Sequence, residues 1–315
     1  MMQYLVILLD DTSISFCHYN NTKTKPQLIP LDTLKAGVLY AMKENLNIQF
    51  VYPAYPLPTE YEETIESIDH VKIKPAECTE NADVVVFDNI QALMGFANFS
   101  KGVAYALRID RQSLFDNVAS VLPVLYKVER LNIIITDVET FNDDDFKTYA
   151  SILQTLADEI VKVYLSGLTT QLNLLTDRMI LDKMNNCGAG DTSITLAPDG
   201  KFYVCPAFYL SADGCSIGDL SRGLDIKNPQ LYRLDHAPLC RNCDAYQCKR
   251  CIWLNRKTTK EINTPSHEQC VVAHLERNAS RSLLQVIRKH GEFLPEVDDI
   301  KEINYLDPFD VRKEW

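Results

Sequence analysis

The chain has 315 residues, 46% of them hydrophobic, and a formal net charge of −11 at pH 7. The length suits one large domain and a small one, and the acidic excess argues against a nucleic-acid binder, which would show a basic face. No apolar run reaches the ~18 residues of a membrane span, and the first run stops at Asp10 without signal-peptide features. We therefore expect a cytoplasmic protein without nucleic-acid or membrane partners, in which clustered cysteines bind metal.

Apolar segments alternate with helical segments along residues 1–184. Runs rich in Val and Ile predict strands over 4–10, 48–53, 83–88, 104–110 and 131–137, with a sixth candidate at 169–177. Apolar residues at helical spacing predict helices over 31–45, 111–130 and 143–167, the second of them interrupted at Pro123. This alternation predicts an α/β fold with a parallel sheet, either open and doubly wound or closed partway into a βα barrel.

Four of the predicted strands end in an aspartate: Asp10, Asp88, Asp110 and Asp137. The carboxyl ends of parallel strands form the functional rim of such folds. These carboxylates therefore either line a polar cavity or cap the helices that follow the strands. The chain has none of the glycine-rich phosphate-binding motifs and no nucleophile elbow.

Eight of the ten cysteines lie between Cys187 and Cys270, which indicates a domain boundary near residue 185. Within this segment, Asp199–Gly200 predicts a hairpin that returns Cys205 toward Cys187. Two C-x2-C pairs follow, and such a pair binds one metal because its spacer lets both thiolates point the same way. Eight thiols suggest two sites, for Zn²⁺ or iron–sulfur clusters, which spacing does not distinguish. The candidate ligands are Cys187, Cys205, Cys215, Cys240, Cys243, Cys248, Cys251 and Cys270.

Residues 271–291 predict one more amphipathic helix, which ends at Gly291. We expect this helix to pack against the sheet. Its basic residues would then form a solvated face or hold an acidic peptide. They are Arg277, Arg281, Arg288 and Lys289.

The order of the cysteines resembles the SPASM domain, the C-terminal extension of many radical S-adenosylmethionine (SAM) enzymes that modify peptides. Cys187, Gly200 and Cys205 match its first element, CX9–15GX4C. The central element, CX2CX5CX3C, is one residue short in each of its last two spacers. Three stretches further resemble the CXXX repeat peptide maturase family: LVILLDDTSISFCHY, NLNIQFVYP and PLCRNCDAYQCKRCIWLN.

The resemblance implies a partial βα barrel of the radical SAM type over 1–184, a SPASM-like domain over 185–275, and a C-terminal helix with an acidic tail over 276–315. It also implies one or two [4Fe–4S] clusters. By position, the first cluster takes Cys187, Cys205 and Cys251, with Cys215 as the candidate fourth ligand. Without Cys215 that cluster keeps an open iron for a peptide thiolate or amide. The second cluster takes Cys240, Cys243, Cys248 and Cys270.

One family motif is missing. Radical SAM enzymes hold their SAM cluster with CX3CX2C after the first strand, where this chain has Ser13, Cys17 and Asn20 at that spacing. One thiolate cannot hold a [4Fe–4S] cluster, so we expect no standard SAM cleavage.

Two functions from different classes follow. In the first, the chain is an iron–sulfur member of a ribosomal peptide (CXXX repeat peptide) maturation system. It then binds a cysteine-containing precursor peptide, relays electrons to a radical SAM enzyme, or itself acts through an open iron. In the second, the thiolates hold Zn²⁺ and the chain is a structural adaptor with no redox role.

Overall fold

Residues 2–211 and 214–300, which this computed structural model describes, form a sheet flanked by helices. The strands are β1 Tyr4–Leu8, β2 Asn47–Val51, β3 His70–Pro75, β4 Val84–Phe87, β5 Ala104–Ile109, β6 Arg130–Ile135, β7 Gln171–Leu172, β8 Ser193–Leu196, β9 Phe202–Tyr203, β10 Gly218–Asp219 and β11 Gly223–Leu224. The α-helices are α1 Leu31–Glu44, α2 Thr59–Ile65, α3 Ile90–Gly95, α4 Arg111–Val121, α5 Asp143–Leu165, α6 Asp177–Ile180, α7 Pro206–Leu210, α8 Ile252–Thr259 and α9 His267–Arg288. Shorter 3-10 turns lie at Leu122–Tyr126, Val138–Thr140, Pro229–Tyr232 and Leu234–His236.

Nine strands form one sheet in the order β7-β6-β5-β4-β3-β2-β1-β8-β9. All neighbours from β7 to β8 are parallel, and β9 runs antiparallel to β8. Across the described part of the chain, the edge strands β7 and β9 do not pair with each other, so the sheet stays open. The predicted α/β fold with a parallel sheet is confirmed, without a closed barrel.

The sheet is buried on both faces, as continuous apolar strands predict. β1 buries Leu5, Ile7 and Leu8 completely. On one side, Gly37 lets α1 pack closely, because a Cβ there would lie 2.5 Å from Leu196 Cδ2 on β8. These contacts make β1 and β8 central to the core.

The expected interruption of one helix is confirmed, and one strand was not predicted from the sequence. α4 ends at Val121, and the 3-10 turn that follows contains Pro123 in its first turn, as predicted for an interruption there. β3 was not predicted, because Lys72 and Lys74 break its apolar run. Lys72 pairs with Glu66, and Lys74 Nζ donates to the Glu80 carbonyl at 2.8 Å. These partners let two lysines occupy a buried strand.

The predicted hairpin is confirmed as β8 and β9, with Thr195 opposite Tyr203. Its first strand joins the main sheet, where Tyr4 pairs with Ser193 and Ile7 pairs with Leu196. Residues on both sides of the predicted boundary at residue 185 therefore share one sheet. The boundary itself stays a prediction.

Helix α9 packs along α5, as expected, but it is covered on a second side by the cysteine-rich segment. Arg277 is only 3% exposed, and its Nη1 donates to Asp244 Oδ1 at 2.7 Å. The prediction that Arg277 lies on a solvated face is therefore wrong, because the loop around Asp244 closes over this helix. Residues 301–315 of the predicted acidic tail lie outside the described residues. Among the helices described, none is both long and apolar enough to cross a membrane.

Candidate metal centres

Short segments before and after the hairpin bring three of the predicted ligands together. Backbone N–H groups of Asn185 and Cys187 donate to the carbonyls of Tyr246 and Lys249, at 2.7 and 3.1 Å. Residues 185–187 therefore run beside 246–249, which places Cys187 close to Cys251. Cys205 and Cys251 each stand immediately before a helix, α7 and α8.

Electrostatic effects among these thiols agree with this placement. Burial raises the pKa of Cys205 well above its usual range, and the nearby Cys251 and Cys187 raise it further. Burial and Cys187 likewise raise the pKa of Cys251, whereas hydrogen bonds from the backbone N–H groups of Leu254 and Trp253 lower it. Cys187 is exposed as a residue, yet desolvation of its thiol also raises its pKa. The three cysteines do gather, and their role as ligands stays a prediction.

A fourth cysteine joins them from the other end of the chain. Burial and then Cys187 raise the pKa of Cys17 to about 12, while Arg108 and Lys249 lower it. Cys17 also raises the pKa of Cys205 and Cys251. Cys17, Cys187, Cys205 and Cys251 are called thiol group 1 below. The sequence contained one signal for Cys17, an isolated cysteine after the first strand, but spacing alone could not connect it to residues 187–251.

Cys215, the predicted candidate for the fourth position, is exposed and follows α7. Its segment runs beside β9, where Ile217 N–H donates to the Phe202 carbonyl at 2.7 Å, and Cys215 adds to the effect of burial and Asp199 in raising the pKa of Tyr203. A ligand role for Cys215 stays a prediction.

The remaining predicted ligands, Cys240, Cys243, Cys248 and Cys270, are called thiol group 2. Tight turns bring the first three together, with Cys243 N–H donating to the Cys240 carbonyl at 3.1 Å. Burial raises the pKa of Cys248 to about 12, and Cys240 and Cys243 contribute to the increase. Cys270 enters from α9, in whose first turn it lies.

Two features of thiol group 2 suit thiolates. The backbone N–H groups of Ala245 and Arg250 donate to Sγ of Cys243 and Cys248, both at 3.4 Å, and such bonds favour the charged sulfur. His274 Nε2 lies 3.5 Å from Cys243 Sγ. Because His274 follows Cys270 by one helical turn, α9 presents both residues on the side that faces Cys243.

A buried arginine lies between the two thiol groups. Arg250 is 1% exposed and lowers the pKa of Cys187 in group 1 and of Cys240 in group 2. Its Nε donates to Asn186 Oδ1 at 3.2 Å and its Nη2 to the Tyr232 carbonyl, whereas the buried Nη1 has no partner among the described residues. Its φ of +46° lies in the left-handed region that favours glycine. Within the described part of the chain, Arg250 therefore has a buried guanidinium with an unpaired N–H group and a strained backbone. A negatively charged group bound nearby would stabilise this guanidinium.

The described side chains do not themselves form a coordination site. Over residues 2–211 and 214–300, no group of three or more His, Cys, Asp or Glu side chains is arranged to hold a metal ion. The thiols therefore gather in two places but do not converge on single points. Rotation of the cysteine side chains about their Cα–Cβ bonds would have to complete either site.

Arg108 fixes the loop after β1 together with the loop's own side chains, such as Asn21, whose Nδ2 donates to the Asp11 carbonyl at 2.8 Å. Arg108, on β5, is 6% exposed and donates to the carbonyls of Cys17 and Tyr19 at 3.0 and 2.6 Å. It also donates to Asn20 Oδ1 at 2.8 Å and pairs with Asp88 at 2.5 Å. A charged residue inside the apolar run AYALRID was the sequence signal for this role.

Ser13, Cys17 and Asn20, which stand at the spacing of the SAM-cluster motif, contact three different partners. Ser13 Oγ donates to the Val51 carbonyl at 2.8 Å, and Asn20 accepts from Arg108. The Cys17 thiol belongs to thiol group 1. The three side chains therefore do not converge.

Replacement of Arg108 by methionine should destabilise the sheet by about 3 kcal/mol, because two buried carbonyl oxygens would lose their donors. Urea unfolding of the full chain measures the change. Arg222→Met is the matched control, since the Arg222 side chain is 87% exposed and its loss should cost less than ~0.5 kcal/mol. Equal stability of the two variants would show that Arg108 does not hold the loop.

The strand-end aspartates are largely engaged in local structure. Asp110 caps α4 by accepting from Ser113 N–H at 2.9 Å, and Asp137 accepts from Arg111 N–H at 2.8 Å. Asp10 accepts from Tyr55 OH at 2.7 Å. Asp88, paired with Arg108, and Asp110 also line an open polar cleft of about 130 Å³ at the carboxyl ends of β4 and β5. Both interpretations of these residues thus hold in part.

Solved structures of known proteins share this fold. Native anSMEcpe with bound AdoMet and Cp18Cys peptide aligns with a TM-score of 0.62 at 15% identity, over 91% of this chain and 99% of that one. Histidine-tagged anSMEcpe with bound AdoMet aligns with a TM-score of 0.61 at 13% identity, over 92% and 96% of the two chains. Native anSMEcpe with bound AdoMet and Kp18Cys peptide gives 0.59 at 14% identity, over 91% and 99%.

These alignments span nearly the whole chain and confirm the predicted α/β fold with a parallel sheet. At this identity they show the fold alone. No family model and no curated protein sequence matches the chain.

Proposed function

We propose that this chain is an iron–sulfur protein of a peptide-maturation system, with one cluster at each thiol group. The observation that carries the proposal is the gathering of the cysteines into two separate thiol groups, in the partition that the SPASM-like order implies. Cys187, Cys205 and Cys251 lie in group 1. In group 2, Cys240, Cys243 and Cys248 lie beside α9, where His274 Nε2 is 3.5 Å from Cys243 Sγ and Cys270 is one helical turn earlier.

The surroundings of the thiols fit bound [4Fe–4S] clusters. A cluster held by four thiolates carries net negative charge, and three cations lie beside the thiols: Arg108, Lys249 and Arg250. Burial keeps the thiols neutral until a metal displaces their protons, which is the usual coupling of metal binding to deprotonation. When bound, such clusters supply one-electron transfer.

The polar cleft is the proposed peptide site. It lies at the carboxyl edge of the sheet, where open parallel sheets bind their ligands, and its lining is mostly polar. Asn20, three residues after Cys17, forms part of its wall. The anSMEcpe structures of the same fold contain a Cp18Cys or Kp18Cys peptide. We propose a cysteine-containing precursor peptide as the partner here.

The chain is proposed to act without its own SAM cluster. The residues at the motif spacing supply one thiolate, and that thiolate belongs to thiol group 1. Electrons relayed by the two clusters would then serve a separate radical SAM enzyme.

Anaerobic purification followed by metal and sulfide analysis tests the proposal. We expect a brown protein with inorganic sulfide and about four iron atoms per cluster. A variant with all group 2 cysteines replaced by serine should keep the iron of group 1 only. A colourless protein with zinc and no sulfide would contradict the proposal and favour the structural adaptor.

A further inference from the structure

We propose that Cys17 is the fourth ligand of the metal centre at thiol group 1, so that this centre joins the loop after β1 to the cysteine-rich segment. The inference rests on the proposed function in assuming that the group binds metal. It assigns a ligand that comes from the N-terminal part of the chain, outside the SPASM-like segment.

The loop that contains Cys17 is attached to the helix after Cys205. Thr22 N–H and Oγ1 both donate to the Leu210 carbonyl, at 3.0 and 2.8 Å. Tyr209 OH donates to Asp11 Oδ1 at 2.5 Å. Both partners lie in α7, which begins directly after Cys205. The two ends of the loop are therefore held at the helix that Cys205 precedes.

The same loop also contacts the helix after Cys251. The Tyr19 ring packs edge-on against the Trp253 ring, with centroids 6.5 Å apart, and Trp253 lies in the first turn of α8. Arg108 holds the carbonyls of Cys17 and Tyr19 on the other side. The loop that contains Cys17 thus lies between α7, which follows Cys205, and α8, which follows Cys251. Mutual electrostatic effects among the thiols agree with this placement.

The buried side chain of Arg250 is a second indication that a negatively charged group binds at thiol group 1. Arg250 Nη1, on a side chain that is 1% exposed, is buried without a hydrogen-bond partner in the part of the chain that the structure describes, and the charge of Arg250 acts on Cys187. A metal centre with four thiolates would supply the negative charge that this group lacks. Three thiols from the cysteine-rich segment and one from the loop give the required number.

Ligation of the centre by the four cysteines needs no redox step. Each of the four thiols releases a proton to solvent, and the resulting thiolate donates an electron pair to a metal ion. With all four positions filled, group 1 has no open iron for a peptide thiolate. Electron relay is then its role, rather than direct binding of the substrate.

Cys17→Ala and Cys215→Ala test the assignment in the full chain, each reconstituted anaerobically with iron and sulfide. Cys17→Ala should lose up to about four iron atoms, the content of one [4Fe–4S] cluster, and Cys215→Ala should lose none. Cys78→Ala, which removes a half-buried thiol outside both groups, is the matched control. Loss of iron from Cys215→Ala with none from Cys17→Ala would overturn the inference and leave the proposed function standing. Failure of the unaltered chain to bind any metal would instead defeat the proposed function.

Thiol alkylation of the unaltered protein gives a second measurement that does not depend on the folding of a variant. Cys17 should resist iodoacetamide in the metal-loaded protein and react after chelation, as mapped by mass spectrometry. Exposed Cys215 should react in both states. Equal reaction of Cys17 before and after chelation would overturn the inference.

Discussion

Replacement of Cys243 by serine is expected to unfold the loops of thiol group 2, residues 234–251, while the parallel sheet stays folded. The apolar cluster around this residue is small: Met184, Ala237 and Cys240 are its buried members. So little buried apolar surface cannot offset the conformational entropy of the surrounding loops. Bound metal supplies folding free energy of order 10 kcal/mol in small metal domains, which is comparable to the whole stability of a typical domain.

Trypsin cleavage reports on the unfolding of the two parts of the chain independently, because each contains a buried arginine. Arg250 is 1% exposed and Arg108 is 6% exposed, so cleavage after either requires local unfolding. In metal-loaded Cys243→Ser, cleavage after Arg250 should become much faster, and cleavage after Arg108 should not change. Mass spectrometry of the fragments over time measures both rates.

Cys78→Ser is the matched control and should be cleaved like the unaltered chain. It removes a half-buried thiol from the turn after β3, outside both thiol groups. If Cys243→Ser kept its full metal content and its resistance to cleavage after Arg250, Cys243 would not be a ligand. Faster cleavage after Arg108 as well would show that the two parts unfold together.

The regular part of this fold could be predicted because local sequence and tertiary structure agree there. β1, β4 and β6 are apolar runs, and the Asp199–Gly200 turn determines the hairpin of β8 and β9. β3 could not be found in this way, since its two lysines interrupt the apolar run and are stabilised by partners outside the strand, Glu66 and Glu80. The pairing of β8 with β1 is also a long-range contact, which no local sequence pattern predicts.

In the candidate site, too, only the features that are local in sequence could be predicted. The C-x2-C turns of thiol group 2 are local, so spacing identified them. Cys17 reaches group 1 through contacts of Thr22 with Leu210 and of Tyr19 with Trp253, residues nearly two hundred positions or more apart in sequence. Spacing therefore related Cys17 only to Ser13 and Asn20, its neighbours in the family motif. The buried roles of Arg108 and Arg250 depend on the folded structure for the same reason.

Iron-loaded protein given SAM and a strong reductant is expected to form no 5′-deoxyadenosine above the level without protein. SAM cleavage by the standard route needs a cluster with three thiolates and one iron open to SAM, and the motif positions supply Cys17 alone. Chromatography with mass detection measures the product, and an active radical SAM enzyme is the positive control. Product formation by the unaltered chain would contradict the proposal that it acts without its own SAM cluster.

Restoration of the missing thiols by Ser13→Cys with Asn20→Cys is also expected to give no product. Ser13 Oγ is directed to the Val51 carbonyl, Asn20 to Arg108, and Cys17 to thiol group 1, so new thiols at these positions would not converge. Product from this double variant would show that the loop rearranges around a cluster, against the contacts of Arg108.

The same iron-loaded protein should nonetheless bind a cysteine-containing peptide in the cleft beside Asp88 and Asp110. Because Cys17 completes the centre at thiol group 1, this binding should not need a peptide thiol on iron. Calorimetry should therefore give nearly the same affinity for a peptide and for its alkylated form, within about threefold, or ~0.7 kcal/mol. A large loss of affinity on alkylation would place the peptide thiol on an open iron and argue against Cys17 as the fourth ligand.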